Sequence, residues 1–142
     1  MKMVILARGG SKGIPNKNLK KVNGLSLVAR SIVTARKSSS VSNVIVSTDS
    51  LEIAAEARLF GASVHVRDEL SASDTASTED ALDEFLANDT HLTIDDEFFG
   101  YMQPTSPFVS YEEIDDAFSI LKLQDSISTI FSARETHAFL WG

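Results

Sequence analysis

Side chains that could bind an anion follow the first apolar run of the chain. Residues 5–18 read ILARGGSKGIPNKN and carry Arg8, Lys12 and Lys17, with Lys20 two residues later, three glycines and no acidic residue. Glycine lets the backbone approach a ligand closely with its N–H groups directed at phosphate oxygens, while the cations neutralise the phosphate charge. We therefore interpret the segment as a phosphate-binding loop, with a solvated surface loop as the alternative.

The spacing of this loop matches neither of two well-known nucleotide motifs. Its GGSKG core lacks the intervals of the G-x-G-x-x-G dinucleotide fingerprint and of the Walker A sequence. A charge-assisted hydrogen bond contributes about 1.5 to 3 kcal/mol, so three or four such contacts could hold a triphosphate even after the loop is ordered. The loop thus predicts a triphosphate site without specifying the nucleotide.

Charge is divided unevenly along the chain. The net charge is −7, yet no Asp or Glu occurs before Asp49, whereas nine Lys and Arg residues do. Duplex binding would need cations spread along a face, so the pattern indicates a local anion site on an acidic body and argues against nucleic acid as a partner. An accidental division of charge is the alternative.

Composition indicates one globular domain over residues 1–142. The chain is 43% hydrophobic and 23% charged, and it has no cysteine, which excludes disulfides and thiolate metal sites. No stretch approaches the roughly 18 apolar residues of a membrane span. The apolar part of the opening is shorter than the h-region of a secretory signal, which runs about 7 to 15 residues. We predict a cytoplasmic protein with no membrane partner.

The hydrophobic pattern alternates between short apolar runs and segments with helical periodicity. Such alternation predicts an α/β fold: three layers, with a mostly parallel sheet wound by right-handed crossovers and helices on both faces. The predicted strands are residues 3–7, 43–48, 62–66, 97–103 and 127–133, and the predicted helices are residues 25–37, 50–57, 77–86 and 111–123.

Three polar stretches each follow a predicted strand: RGGSKG, STDS and QPTSP. Ligands of parallel sheets bind beyond the carboxyl ends of the strands, so we expect these stretches to gather at one edge. For STDS the favoured interpretation is a strand end followed by a helix cap at Ser50. In QPTSP, Gln103, Thr105 and Ser106 suit either turn chemistry or recognition of a hydroxylated ligand held between the two prolines.

No metal site is predicted from the residues. Asp95, Asp96 and Glu97 look like metal ligands, but we interpret them as a solvated loop before a strand. The three histidines, at positions 65, 91 and 137, stand apart without a metal-binding spacing, and no role is assigned to them.

Taken together, four motifs resemble the acylneuraminate cytidylyltransferases, the CMP-sialic acid synthetase family. They are ARGGSKGIPNKNL at 7–19, VSTDSLEIAAEARLFGASVHVR at 46–67, DTAST at 74–78 and MQPTSPF at 102–108. The resemblance extends over essentially the whole chain. It implies a Rossmann-like nucleotidyltransferase fold.

The resemblance also implies a reaction and a set of site residues. The reaction is transfer of CMP from CTP to the anomeric hydroxyl of a sialic-acid-like nonulosonic acid, with release of pyrophosphate and dependence on Mg²⁺. Fixed cations suit it, because they stabilise the charge that develops as pyrophosphate leaves. The implied catalytic residues are Arg8, Lys12 and Lys17; the implied nucleotide-binding residues are Ala7, Arg8, Gly9, Gly10, Ser11, Lys12, Asn18, Asp74 and Ser77; the implied sugar-acid contacts are Gln103, Thr105 and Ser106.

The chain departs from the family pattern in two respects. Arg67 is followed by Asp68, where the family usually has proline. The family's Mg²⁺ aspartates and its dimerisation subdomain would lie beyond Gly142, so none of the present acids is matched to a metal ligand, and a homodimer remains compatible with the resemblance. Two alternatives therefore stay open: a catalytically silent nucleotide or sugar-phosphate binding module of this fold, and a different sugar nucleotidyltransferase.

Overall fold

A four-stranded parallel sheet forms the frame of the molecule. The computed structural model describes residues 1–10, 13–67, 78–88, 98–124 and 126–133. The strands are β1 (Lys2–Leu6), β2 (Lys21–Val22), β3 (Leu25–Ser26), β4 (Asn43–Thr48), β5 (Ser63–Val66) and β6 (Phe99–Met102). The helices are α1 (Leu27–Lys37), α2 (Leu51–Leu59), α3 (Thr78–Asn88) and α4 (Tyr111–Leu123).

The sheet has the order β5-β4-β1-β6, and β2 with β3 forms a separate antiparallel hairpin. In the sheet, β1 pairs in parallel with both β4 and β6, and Ile5 lies opposite Val46 on one side and Met102 on the other. Because β1 is central, its apolar side chains are covered on both faces, as its continuous hydrophobic run predicts.

Helices pack on both faces of the sheet. On one face Ile5 and Val46 join a cluster that includes Ile32 of α1, Ile53 of α2 and Ile114 of α4. On the opposite face Val4 and Ile45 pack against Phe85 of α3, which is fully buried. The predicted fold class, a mostly parallel sheet between helical layers, is therefore confirmed.

Serine caps begin three of the helices. Ser26, Ser50 and Ser110 each accept a hydrogen bond from the backbone N–H three residues later, and Ser110 forms a full capping box with Glu113. After α2 the chain turns at Gly61, whose φ of 78° is favourable only for glycine. The predicted cap at Ser50 is confirmed, and the helix extends to Leu59, two residues beyond its predicted end.

One predicted element is wrong, and several boundaries shift. Residues 127–133 form no strand; the Ile127 N–H instead donates to the Gln124 carbonyl at 2.9 Å in a turn, and none of the described strands pairs with the segment. β-propensity depends on packing against partners, so an alternating pattern without a partner does not suffice. The first helix begins at Leu27 rather than residue 25, because Leu25 and Ser26 pair with the preceding strand.

No helix among the described residues is long and apolar enough to cross a membrane.

Candidate active site

The first two polar stretches meet at the carboxyl edge of the sheet. The Ala7 N–H donates to the Ser47 carbonyl at 3.0 Å, and the Gly9 N–H donates to Asp49 Oδ1 at 2.8 Å. The QPTSP stretch follows β6, the other neighbour of β1, so it lies at the same edge. The predicted gathering of the three stretches is confirmed, and Asp49 has a role that sequence reasoning missed: it anchors the glycine loop.

Two further contacts hold the loop in place. A Cβ atom on Gly9 would lie 2.9 Å from Ser50 Cβ, so the close approach of the loop to the start of α2 requires glycine here. From the other side, the buried Asn18 donates through Nδ2 to the Arg8 carbonyl at 2.9 Å. Asn18, which the resemblance assigns to the nucleotide, therefore also fixes the backbone beside Arg8, and it lies next to Lys17 in a short 3-10 helix.

A row of charged residues extends the sheet register. In the paired strands, Leu6 lies opposite Ser47 and Ser47 lies opposite His65. Because side chains alternate between faces with a period of two, the next residues on the same face are Arg8, Asp49 and Arg67. The Arg67 N–H donates to the Thr48 carbonyl at 2.9 Å, which continues the ladder beyond β5. This row, Arg8–Asp49–Arg67, lies on the face that α3 covers.

Arg67 is unusual because it is a buried cation. It is 7% exposed, and its Nε finds no hydrogen-bond acceptor within the described part of the chain. Burial lowers the pKa of Arg67, while the carboxylates of Asp49 and Glu84 raise it and Arg8 lowers it further. Sequence reasoning noted Arg67 only as a departure from the family pattern. The signal that could have found it is its position directly after a strand, close to the position of Arg8, which lies two residues after the end of β1.

The candidate sugar-acid residues form one exposed turn. Gln103, Thr105 and Ser106 are all exposed around the buried Pro104. Thr105 Oγ1 donates to Gln103 Oε1 at 3.3 Å, and the Ser106 N–H donates to the Gln103 carbonyl at 3.0 Å. Their turn chemistry is thus confirmed, and their exposed polar groups are available to a ligand. Their contact with a sugar acid stays a prediction.

Several predicted site residues lie outside the described residues. They are Ser11, Lys12, Asp74 and Ser77. Of the predicted site residues that are described, Ala7, Arg8 and Gly9 are consecutive, and Asn18 joins them through the hydrogen bond from its side chain to the Arg8 carbonyl. Gly10 follows them in an exposed position with no atom within 4 Å of where a Cβ would lie.

Acids and histidines form no metal cluster in the described part of the chain: no group of three or more could hold an ion there. Asp95, Asp96 and Glu97 lie outside it, as do His91 and His137. His65 has packing partners instead, since its Nδ1 lies 3.0 Å from Ser47 Oγ and its ring stands edge-on to Phe85 with centroids 5.2 Å apart.

Comparison with known proteins agrees with this geometry. The model of the cytidylyltransferase family matches residues 3–139. The chain belongs to the cytidylyltransferase family. It is 37% identical over 138 residues to N-acylneuraminate cytidylyltransferase A of Danio rerio, a match that covers 97% of this chain and 31% of the relative. The resemblance found in the sequence is therefore confirmed.

Bacterial cytidylyltransferase relatives are also similar. The chain is 39% identical to the CMP-N,N'-diacetyllegionaminic acid synthase of Legionella pneumophila, over 84% of this chain and 52% of that protein. It is 34% identical to post-translational flagellin modification protein B of Campylobacter coli, over 95% of this chain and 59% of that protein. The chain thus spans about a third to three fifths of the lengths of the relatives described here.

A solved structure shares the fold of this chain. CMP:2-keto-3-deoxy-manno-octonic acid synthetase complexed with CTP superposes with a TM-score of 0.72, at 17% identity, over 89% of this chain and 48% of that one. At this identity the likeness concerns the fold alone.

Proposed function

We propose that this chain carries the CTP site of an enzyme that transfers CMP to the anomeric hydroxyl of a sialic-acid-like nonulosonic acid. One observation carries the proposal: the cationic glycine loop is held at the carboxyl edge by the Gly9 contact to Asp49 and the Asn18 contact to Arg8. That edge is where parallel sheets bind ligands. The names of the acylneuraminate and legionaminic acid relatives supply the substrate class.

In the proposed reaction the anomeric oxygen attacks the α-phosphorus of CTP. A bond forms between these two atoms, the bond from the α-phosphorus to the bridging oxygen breaks, pyrophosphate leaves with the displaced electron pair, and the proton of the anomeric hydroxyl is released to solvent. Phosphoryl transfer of this kind needs positioning and charge stabilisation more than covalent protein chemistry. Arg8, Lys12 and Lys17 are the residues proposed to stabilise the negative charge of the leaving group.

The turn after β6 is the proposed contact for the sugar acid. Because β6 neighbours β1, its exposed Gln103, Thr105 and Ser106 follow the strand beside the one that carries Arg8. Hydroxyl and amide groups in a turn next to Pro104 could donate to and accept from sugar hydroxyls.

Mg²⁺ is expected as a cofactor from the family resemblance, where it would offset triphosphate charge. No group of three or more acids or histidines among the described residues could hold it, and no step of the reaction is assigned to the ion. A cytoplasmic location and a homodimer likewise stay predictions.

Pyrophosphate release tests the function. The 142-residue chain is incubated with Mg²⁺ and each of the four nucleoside triphosphates, with and without N-acetylneuraminic acid or a legionaminic acid. Release that requires both CTP and a sugar acid is the expected result. Release with another triphosphate instead would contradict the assignment and favour a different sugar nucleotidyltransferase.

A second candidate function is binding of CTP without turnover. The chain spans 31% of the length of the Danio rerio relative, so the activity of that protein does not pass to this chain without a test. Calorimetric binding of CTP in preference to the other triphosphates, together with no pyrophosphate release under any combination, would support this candidate over the transferase.

A further inference from the structure

We propose that Glu84 of α3 is a positioning residue of the CTP site, which acts by holding the guanidinium of Arg67 at the strand ends beside Arg8. The inference rests on the proposed function and adds a residue that neither the motifs nor the comparisons indicate. It concerns how a buried cation is kept in place on the side of the sheet that α3 covers.

The first step is the location of Arg67 relative to α3. His65 is on the face that meets α3, because its ring stands edge-on to Phe85 at 5.2 Å between centroids. Arg67 is two residues further along, so alternation directs it to the same face. Glu84 directly precedes Phe85 on α3 and is itself partly buried. Glu84 is therefore next to the residue through which α3 contacts β5.

The second step is the cost of burying Arg67. A buried charge requires a counter-charge or hydrogen bonds, and Arg67 is 7% exposed with an Nε that has no acceptor in the described part of the chain. Two carboxylates act on it electrostatically, those of Asp49 and Glu84. Asp49 is also engaged with the Gly9 N–H, so Glu84 is the carboxylate that α3 contributes specifically.

The third step is the opposing effect of Arg8. Arg8 and Arg67 repel each other, and that repulsion favours turning one guanidinium away from the strand ends. A carboxylate beyond Arg67 counters this tendency, so both cations stay at the edge before a triphosphate arrives. Preorganised charge of this kind binds and stabilises anions without the cost of rearrangement.

If Glu84 positions Arg67, its replacement should change CTP affinity in the direction opposite to that expected from the loss of its charge alone. A carboxylate that only adds negative charge near the site repels a triphosphate, so its removal should tighten CTP binding. If Glu84 positions Arg67, E84Q should instead weaken CTP binding by about ten-fold, the scale of one charge-assisted contact. The matched control is D83N, which removes the same charge from an exposed residue of the same helix; it should leave the affinity unchanged or raise it slightly.

A double-mutant cycle with Arg67 provides the decisive measurement. CTP affinity is determined by calorimetry for the 142-residue chain and for E84Q, R67Q and E84Q/R67Q. If Glu84 acts through Arg67, E84Q should change affinity by less than about two-fold in the R67Q background, since the partner is already absent. E84D, which keeps the carboxylate, should recover much of the lost affinity.

Each outcome separates this inference from the proposed function. If the wild-type chain shows no preference for CTP, the proposed function fails. Two results would refute the role of Glu84 in a wild type that binds CTP. In the first, E84Q binds CTP as tightly as wild type or more tightly. In the second, the E84Q substitution weakens CTP binding equally in the wild-type and R67Q backgrounds. If E84Q does not fold, E84Q/R67Q should be the more stable of the two, because removing both charges avoids an uncompensated buried cation. A double variant less stable than E84Q would also contradict the proposal.

Discussion

Charged side chains at the two ends of β4 differ in how fully the protein satisfies their hydrogen bonds. At its amino end, the loop from α1 binds the Asp115 carboxylate through Ser38 Oγ at 2.6 Å, the Ser40 N–H at 2.9 Å and the Ser39 N–H at 3.2 Å. At its carboxyl end, Arg67 is buried with an Nε that has no acceptor in the described part of the chain. The amino end therefore completes its hydrogen bonds within the protein, whereas the carboxyl end holds a buried donor that has no acceptor among the described residues.

Of the substitutions at the carboxyl end of β4, removal of the Arg8 side chain should weaken CTP binding the most. R8A is expected to weaken CTP binding by about 10- to 100-fold, because a charge-assisted contact contributes roughly 1.5 to 3 kcal/mol. Cytidine, which lacks the phosphates, should lose far less. Calorimetry with both ligands makes the measurement, and K37A, at the exposed end of α1, is the control. Equal losses for CTP and cytidine would show that Arg8 acts on the structure of the loop rather than on phosphate.

Substituting the glycine that touches α2 should have a smaller effect at the same end. In G9A the added methyl group would lie 2.9 Å from Ser50 Cβ, so the loop must move away from its anchor on Asp49. We expect CTP affinity to fall several-fold, on the order of 1 kcal/mol for a displaced backbone contact. G13A is the matched control, since Gly13 is not a predicted site residue and a Cβ there meets no atom of the described residues within 4 Å. A larger loss in G13A than in G9A would contradict the proposed anchor.

At the amino end, replacing Asp115 should affect stability and leave CTP affinity unchanged. Hydrogen bonds from Ser38 and then Ser40 hold the pKa of Asp115 well below its usual value. A carboxyl group with a depressed pKa in the folded state stabilises the fold at pH values above its unfolded pKa, which is about 3.9, and loses this effect as the pH falls. D115N should therefore melt at a lower temperature than wild type at pH 7.

The difference in melting temperature between wild type and D115N should shrink once the pH falls below about 4, where the wild-type carboxylate begins to lose its advantage. D116N is the control, because Asp116 is exposed beside it on α4. A pH-independent difference for D115N, or an equal difference for D116N, would show that the Asp115 contacts to the α1–β4 loop do not stabilise the fold.

Local signals made much of the fold predictable. The helix at 111–123 has the predicted bounds, because a serine cap, early acids and an amphipathic pattern all lie within the segment itself. The strand predicted at 127–133 failed, because a strand requires a partner that the segment's own pattern does not reveal.

Some residues of the candidate site can be predicted from a local sequence motif, whereas others come together only in the folded chain. The glycine loop is visible as a run of residue types, so Arg8 and Gly9 could be proposed from the sequence. Arg67 and Asp49 become neighbours only through the register of β4 with β5, and Asp115 meets Ser38 across 77 residues of chain. Such contacts depend on the tertiary fold, and single-sequence patterns do not encode them directly.

The strand order has a consequence for synthesis of the chain from its amino terminus. Strands β1, β4 and β5 are consecutive neighbours in the main sheet, and the row Arg8–Asp49–Arg67 that they carry is complete within the first 67 residues. The exposed turn at Gln103 requires β6, which joins β1 only after a further stretch of chain has emerged. The segments proposed to bind phosphate are therefore synthesised before the turn proposed to read the sugar.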